Sequence, residues 1–570
     1  MHELKQEIIN AIAQALTQAF PEVEDQVVTL EHPADDNHGE WASNIAMRLT
    51  KQVGMPPREV AEKLIANMQL PEGVENVEVA GPGFINFQLH PSVYLHNLTE
   101  IDHKYGQSKV GEGKTVMIEF GQPNTHKAFH VGHLRSAISG LAIVNLYENL
   151  GYKVIKANYF GDIGLHVAKC TWGMLQKGVP EDFATWDVHE RMRYIDEAYV
   201  YGSQKFEEDK AAEAEIRQIN KDIYMEANTP AVELYHQIRT WSIEHQTAIF
   251  ADLGVEYDVQ YPESTVYKEA IKIVENNKDV VFTESEGAII YDGKKDGLTT
   301  WVFLTSEGNP TYSAKDLALA LTKFRNYDLD HAIVTTSVEQ VDYFKAVIKC
   351  LEKIEPNLAG RYKHLPFGWL LRDNKKTSSR QGGSIKGMDI LSEVKTEAET
   401  RIANKDYSET ENKKIAHNVG LAGLKFLILS HEFHKDINYD PEKFLSLEGF
   451  SAPYIMYAYA RAAAILRQAE DDKVTEFDLA VLDKPEEIDL ARLISRFPET
   501  AEQAALQIAP HLMANYLYQL AQKFNQFYGV HQVLNAEAEL RQARLYLVNA
   551  TAEILKLGLE LLGIETVERM

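Results

Sequence analysis

The stretch GQPNTHKAFHVGHLRSAISG, residues 121–140, decides how the rest of the chain is read. It follows the apolar run KTVMIEF (114–120) and leads into HVGHLRSAISGLAIVNLYENLG (130–151), which carries helical spacing and stops at a glycine. YKVIKANYF (152–160) is the next strand. Strand, short loop, helix and strand make a βαβ unit, so a parallel sheet with a right-handed crossover is expected. A helix that starts at the C-terminal edge of such a sheet offers unpaired N–H groups and a partial positive charge, which suit a nucleotide phosphate. His130 and His133 fall in the first turn, three apart on one face, where both can donate to phosphate oxygens. Gly132 between them leaves room for a base or ribose, and Lys127 brings a positive charge from the loop. Two histidines at this spacing also occur as ordinary helix residues or as part of a metal site. The strand and the Pro-Asn loop ahead of them tip the balance toward phosphate.

Outward from this core, 570 residues suggest about three domains. Residues 1–105 mix helical patterns such as PPREVAEKLIANM with short strands VENVEVA and FINFQL joined at Gly81-Pro82-Gly83, a small α+β domain. Residues 106–407 hold the α/β sheet, a charged helical insertion over roughly 175–250, and returning strands at GAIIYDG, TTWVFLT and HAIVTTS. Residues 408–570 are helical throughout, with apolar positions three and four apart, and read as a bundle.

Composition narrows the class without naming a function. Hydrophobic residues make up 45% and charged residues 25%, the balance of a folded soluble chain. No apolar run approaches the ~20 residues that span a bilayer, and MHELKQEIINAIAQALTQAF has helical spacing rather than signal-peptide character. No membrane association is expected. Cys170 and Cys350 are the only cysteines, which excludes a disulfide framework and a Cys-rich zinc site and points to the cytoplasm. The net charge of −26 argues against a general polyanion binder, but local basic patches still permit a nucleic-acid partner.

The motif PNTHKAFHVGHLRSAISG resembles the His-x-Gly-His signature of class I aminoacyl-tRNA synthetases, and more closely their arginine-specific branch. That branch has serine where Gln122 stands. HGEWASNIAMRLTK and VEVAGPGFINFQL resemble the N-terminal domain of the family, which implies tRNA contact there. GFSAPYIMYAYARAAAILRQA and the closing ARLYLVNATAEILKLGLELLGIETVERM resemble its anticodon-binding helices. The resemblance implies a Rossmann-like catalytic domain that activates L-arginine with ATP, accompanied by Mg2+, and passes it to tRNA(Arg). A monomer with no metal held by the protein itself is expected.

The family's second signature, the KMSKS loop, matches Lys376-Thr377-Ser378-Ser379-Arg380 in DNKKTSSRQGGSIKGMDIL, with Thr377 in place of methionine. Lys376 and Ser378 are implied to act on the ATP phosphates with Lys127, His130, Gly132 and His133. An arginine side chain calls for a carboxylate with flat walls around the guanidinium. NPTYSAKDLALAL offers Tyr312 and Asp316 four apart on a helix, a spacing that surface residues also show. The resemblance assigns both to arginine, together with Asn124, Glu263 and Gln340. In the C-terminal helices Tyr454, Tyr457 and Arg461 share a face, and with Asn515 and Tyr518 suit stacking on splayed anticodon bases. An aromatic stripe of this kind equally reads as core. Two rivals stand beside the ligase: a related enzyme that loads an amino acid onto a small acceptor, and an inactive tRNA-binding paralogue.

Overall fold

The βαβ unit forms as the apolar pattern requires. In the computed structural model, which describes residues 1–23, 26–372, 386–402, 407–469 and 477–570, Thr115–Glu119 is a strand buried along nearly its whole length. It is flanked by Lys153–Phe160 on one side and His331–Ser337 on the other. Val259–Pro262 and Tyr362–Phe367 close the two edges, and every pairing in the five strands is parallel. Counted along the chain, the spatial order is 3-2-1-4-5. The connections leave the first strand on one side and the fourth on the other, which opens a crevice at their C-terminal ends.

Two of the returning strands do not join this sheet. Ala288–Tyr291 and Trp301–Leu304 pair antiparallel with each other, and Thr283–Ser285 completes a separate three-stranded sheet. The linkers are too short for a parallel crossover, which needs a dozen or more residues. The two-residue turn Glu286-Gly287 has positive φ at both positions (51° and 81°), the geometry of a tight hairpin. The helical insertion is present as Val188–Glu208, Lys210–Tyr224 and Pro230–Asp252.

Residues 107–460, 500–518 and 556–570 group in the unit that holds the parallel sheet. Residues 1–106, 461–499 and 519–555 group in a second unit. In the second unit Val74–Ala80, Phe84–Leu89 and Trp41–Ser43 form an antiparallel sheet, with Phe84–Leu89 in the middle. A Cβ on Gly83 would meet the Pro57 backbone at 2.9 Å, so this turn of the Gly-Pro-Gly needs glycine. From Glu409 onward the described elements are helices, apart from the two-residue strand Ile437–Asn438. Among the described residues no helix is long and apolar enough to cross a membrane.

Candidate active site at the strand crevice

The motif helix Val131–Asn149 starts one residue later than its pattern suggests, because His130 has extended backbone and serves as its N-cap. The helix is buried on nearly all sides. Ser136 ties it into the crevice: its hydroxyl accepts from Gly121 N at 2.9 Å and lies 3.1 Å from Thr335 Oγ1 on the fourth strand. Thr335 Oγ1 in turn donates to the Glu119 carbonyl on the first strand. The loop between strand and helix is held from several directions. Gln246 donates to the carbonyls of Pro123 and Asn124, Ser242 Oγ accepts from His126 N, and Asp196 accepts from Ala128 N. The insertion helices thus fix the loop that its sequence leaves free.

His130 and His133 are set as a pair of neutral donors. His130 Nδ1 accepts from Gly132 N at 3.1 Å, and His133 Nδ1 accepts from His130 N at 3.2 Å. An acceptor nitrogen carries no proton, so in each ring the proton sits on Nε2. Burial and the neighbouring Lys127 push the His130 pKa down to about 4, and His133 is held well below its ordinary value by burial and by His130. A Cβ on Gly132 would press on the His130 ring at 3.0 Å, so the glycine protects the histidine's position.

Lys127 is half-buried, and burial lowers its pKa while Asp196 opposes the shift. Asp196 also pairs with Lys386 at 2.8 Å. Lys386 forms an isolated antiparallel bridge with His130, and Gly387 N donates to the Phe129 carbonyl at 2.8 Å. Lys376 and Ser378 lie outside the described residues. On the other side of that segment, Arg135 donates to the carbonyls of Trp369, Phe433 and Lys435 at 2.8–2.9 Å. His126 and His166 have buried Nε2 atoms with no hydrogen-bond partner among the described residues, and burial keeps both neutral.

The residues assigned to arginine are partly brought together. Asn124 Oδ1 accepts from Gly161 N at 3.0 Å, and a Cβ on Gly161 would lie 2.4 Å from Asn124 Oδ1 and 3.3 Å from Glu263 Oε2. Glu263 starts the helix Glu263–Asn276, where Asp162 steadies it by accepting from Ser264 N and Oγ. Glu263 is buried and forms an ion pair with Lys315, whose ammonium also lies over the Tyr312 ring. Tyr312 and Asp316 sit on the helix Tyr312–Asn326, Tyr312 well exposed and Asp316 half-buried. Asp316 accepts a hydrogen bond from the Tyr343 hydroxyl. Gln340 is exposed at the end of a 3-10 turn.

Of the residues given to tRNA, Tyr454 and Tyr518 pack ring to ring at 5.4 Å, with Phe450 5.1 Å from Tyr518. Tyr457 and Asn515 are exposed. Arg461 donates to Asn525 at 2.9 Å and lies over the Tyr528 ring.

Sequence reasoning passed over Tyr343, Lys315, Asp162, Asp196 and Arg135. One signal was readable: KTVMIEF sets a glutamate, Glu119, within an apolar run, and a buried carboxylate needs a partner. Glu119 finds it in Lys323, with Gln122 Nε2 donating to its other oxygen at 2.6 Å.

Comparison with known proteins agrees with this geometry. Residues 95–440 match the family model of class I tRNA synthetase (R) catalytic domains. Residues 6–89 match the arginyl tRNA synthetase N-terminal domain, and residues 455–570 the DALR anticodon binding domain. An arginine–tRNA ligase of Shewanella amazonensis is 33% identical across 100% of this chain and 99% of its own length. One from Clostridium perfringens is 31% identical across 96% and 97%. The structure of the Thermus thermophilus arginyl-tRNA synthetase superimposes with a TM-score of 0.84 at 25% identity, covering 99% of this chain and 100% of that one. With its His-x-Gly-His motif seated in the crevice of a 3-2-1-4-5 sheet and matched along its whole length, the chain belongs to the arginyl-tRNA synthetases of class I, the arginine–tRNA ligases.

Proposed function

We propose a division of labour for the arginine–tRNA ligase reaction in this chain. The arginine carboxylate attacks the α-phosphate of ATP, pyrophosphate leaves, and the arginyl group then passes to the terminal ribose of tRNA(Arg). No side chain forms a covalent bond, so rate comes from positioning and charge stabilisation. His130 and His133 donate from Nε2 to phosphate oxygens as negative charge builds there. Lys127 and, on sequence grounds, Lys376 and Ser378 meet the remaining phosphate charge. Asn124 holds the amino acid's backbone groups, while Asp316, Tyr312, Glu263 and Gln340 surround its side chain. Tyr454, Tyr457, Arg461, Asn515 and Tyr518 serve the anticodon, and the N-terminal domain (1–105) adds tRNA contacts to the catalytic (106–407) and anticodon (408–570) domains.

Mg2+ enters with the ATP phosphates. Among the described residues no three acidic, histidine or cysteine side chains gather to hold a metal, and magnesium keeps several of its waters when it travels with phosphate. The chain acts as a monomer in the cytoplasm.

The observation that carries the reading is the tautomer lock on the two histidines, which leaves two N–H donors at the crevice in the neutral form. Charging purified tRNA with labelled arginine and ATP tests it. Charged tRNA is the expected product. Adenylate without transfer points to another acceptor, and no turnover at all points to a tRNA-binding paralogue.

A further inference from the structure

Two buried or half-buried carboxylates line the proposed arginine pocket, and the protein treats them differently. Glu263 is matched by a cation of the protein itself, Lys315. Asp316 is matched by a neutral donor, the Tyr343 hydroxyl, which takes Oδ2. Among the described residues nothing donates to Oδ1. A carboxylate met by an ammonium has its charge cancelled, whereas one met by a phenol keeps it. The arrangement therefore leaves one negative charge for a cation from outside.

We propose that Tyr343 is a positioning residue for arginine selection: it fixes the Asp316 carboxylate through Oδ2 and presents Oδ1 to the guanidinium. This rests on the assignment of Asp316 to the arginine side chain. The Tyr343 ring is itself held. Trp301, from the small antiparallel sheet, meets it edge-on at 5.6 Å, and Phe344 meets it at 5.1 Å. The separate sheet thereby acquires a task, the bracing of the tyrosine that aims the carboxylate.

The same contact bears on protonation. Burial raises the Asp316 pKa to about 7, and the Tyr343 hydrogen bond works against that rise. The groups that face Asp316 come from every neighbouring element. Glu119 and Glu263 raise its pKa, and Lys323 on its own helix lowers it. Tyr159, Tyr312 and Tyr362 surround it as neutral phenols. Removing the one neutral donor should make the carboxylate harder to ionise.

The test measures arginine-dependent activation by Tyr343→Phe across pH 6–9, beside Asp316→Asn. For Tyr343→Phe the arginine KM should rise about tenfold, the range expected for losing a hydrogen bond to a charged group. The kcat and the ATP KM should stay within about twofold, and the pH below which arginine binding weakens should move upward. Trp301→Leu keeps the hydroxyl but loosens its ring, and should give an intermediate rise. An unchanged KM and pH profile in Tyr343→Phe, with Asp316→Asn impaired, overturns the positioning role alone. A matched loss for ATP and arginine together with a lower melting temperature overturns it too, since that is a purely structural effect. Normal arginine dependence in Asp316→Asn removes the pocket assignment itself.

Discussion

The imidazoles of His130 and His133 stack with centroids 3.5 Å apart and planes 24° from parallel. Two charged rings could not sit this close, so the stack requires the neutral forms that burial enforces. Each ring accepts a backbone N–H at Nδ1, which places its proton on Nε2. Replacing His133 with Ala should slow arginyl-adenylate formation about a hundredfold or more, because one transition-state donor is worth ~3 kcal/mol. Arginine affinity should change little. ATP–pyrophosphate exchange reads both quantities, and near-normal exchange would remove His133 from the reaction.

Arginine binding should depend on pH around neutrality. With its pKa raised to about 7 by burial, Asp316 is protonated below that pH before arginine binds, and the guanidinium must then displace the proton. The arginine KM should climb about tenfold per pH unit below ~7 and level off above it. In Asp316→Asn the KM should be higher by roughly a hundredfold and flat across this range, since the charge-assisted partner is gone. Equilibrium binding of labelled arginine between pH 5.5 and 8.5 measures the slope.

Gly140 is where the motif helix crosses Phe120 at the end of the first strand. A Cβ there would fall 2.1 Å from the Phe120 ring, inside any tolerable contact. Gly140→Ala should therefore cost about 1–3 kcal/mol or more through overpacking, although alanine favours a helix. Because the same helix carries His133, activation should fall along with the melting temperature.

In the unit containing the N-terminal sheet, Glu40 is fully buried and accepts two bonds from Arg496, at 2.9 and 3.1 Å, beside His32. His32 also meets Glu499 at 3.2 Å. Although burial opposes both shifts, hydrogen bonds to the two carboxylates raise His32 to about 9, and hydrogen bonds from His32 and Arg496 lower Glu40 to about 2. The raised histidine contributes stability that is full below pH 6.5 and lost as pH rises through about 9. The depressed carboxylate contributes stability that is full above pH 4.5 and lost as pH falls toward about 2. Thermal melting should show this contribution at its greatest between those limits. His32→Gln should melt lower but lose the decline between pH 6.5 and 9, and Glu40→Gln should cost about 3–5 kcal/mol by removing the buried charge that pairs with Arg496 and His32.

Local chemistry was legible in the chain. VENVEVA and FINFQL became strands with the bounds their patterns give, and the long helical runs after residue 408 became helices. The loop and helix around His130 read correctly because apolar period, turn residues and a helix start are all encoded within a few positions. Edge strands were harder. Val259–Pro262 is four residues long, buries only Tyr261 fully and is closed by a proline, so it carries little of the pattern that marks a buried strand.

What the sequence could not carry was partnership across distance. It supplies Glu119 and Lys323, Glu263 and Lys315, Asp316 and Tyr343, but nothing local says which meets which. Those pairings exist because the parallel sheet brings strand ends and helix starts from separate parts of the chain to one edge. The same holds for the two donors at the crevice. Their presence was written in the motif, while their neutral state and the placing of each proton on Nε2 came only from burial and from backbone N–H groups fixed by the fold. Residue identity sets which protons a side chain can offer. Desolvation and neighbouring dipoles, which are properties of the packed structure, decide which of them it holds.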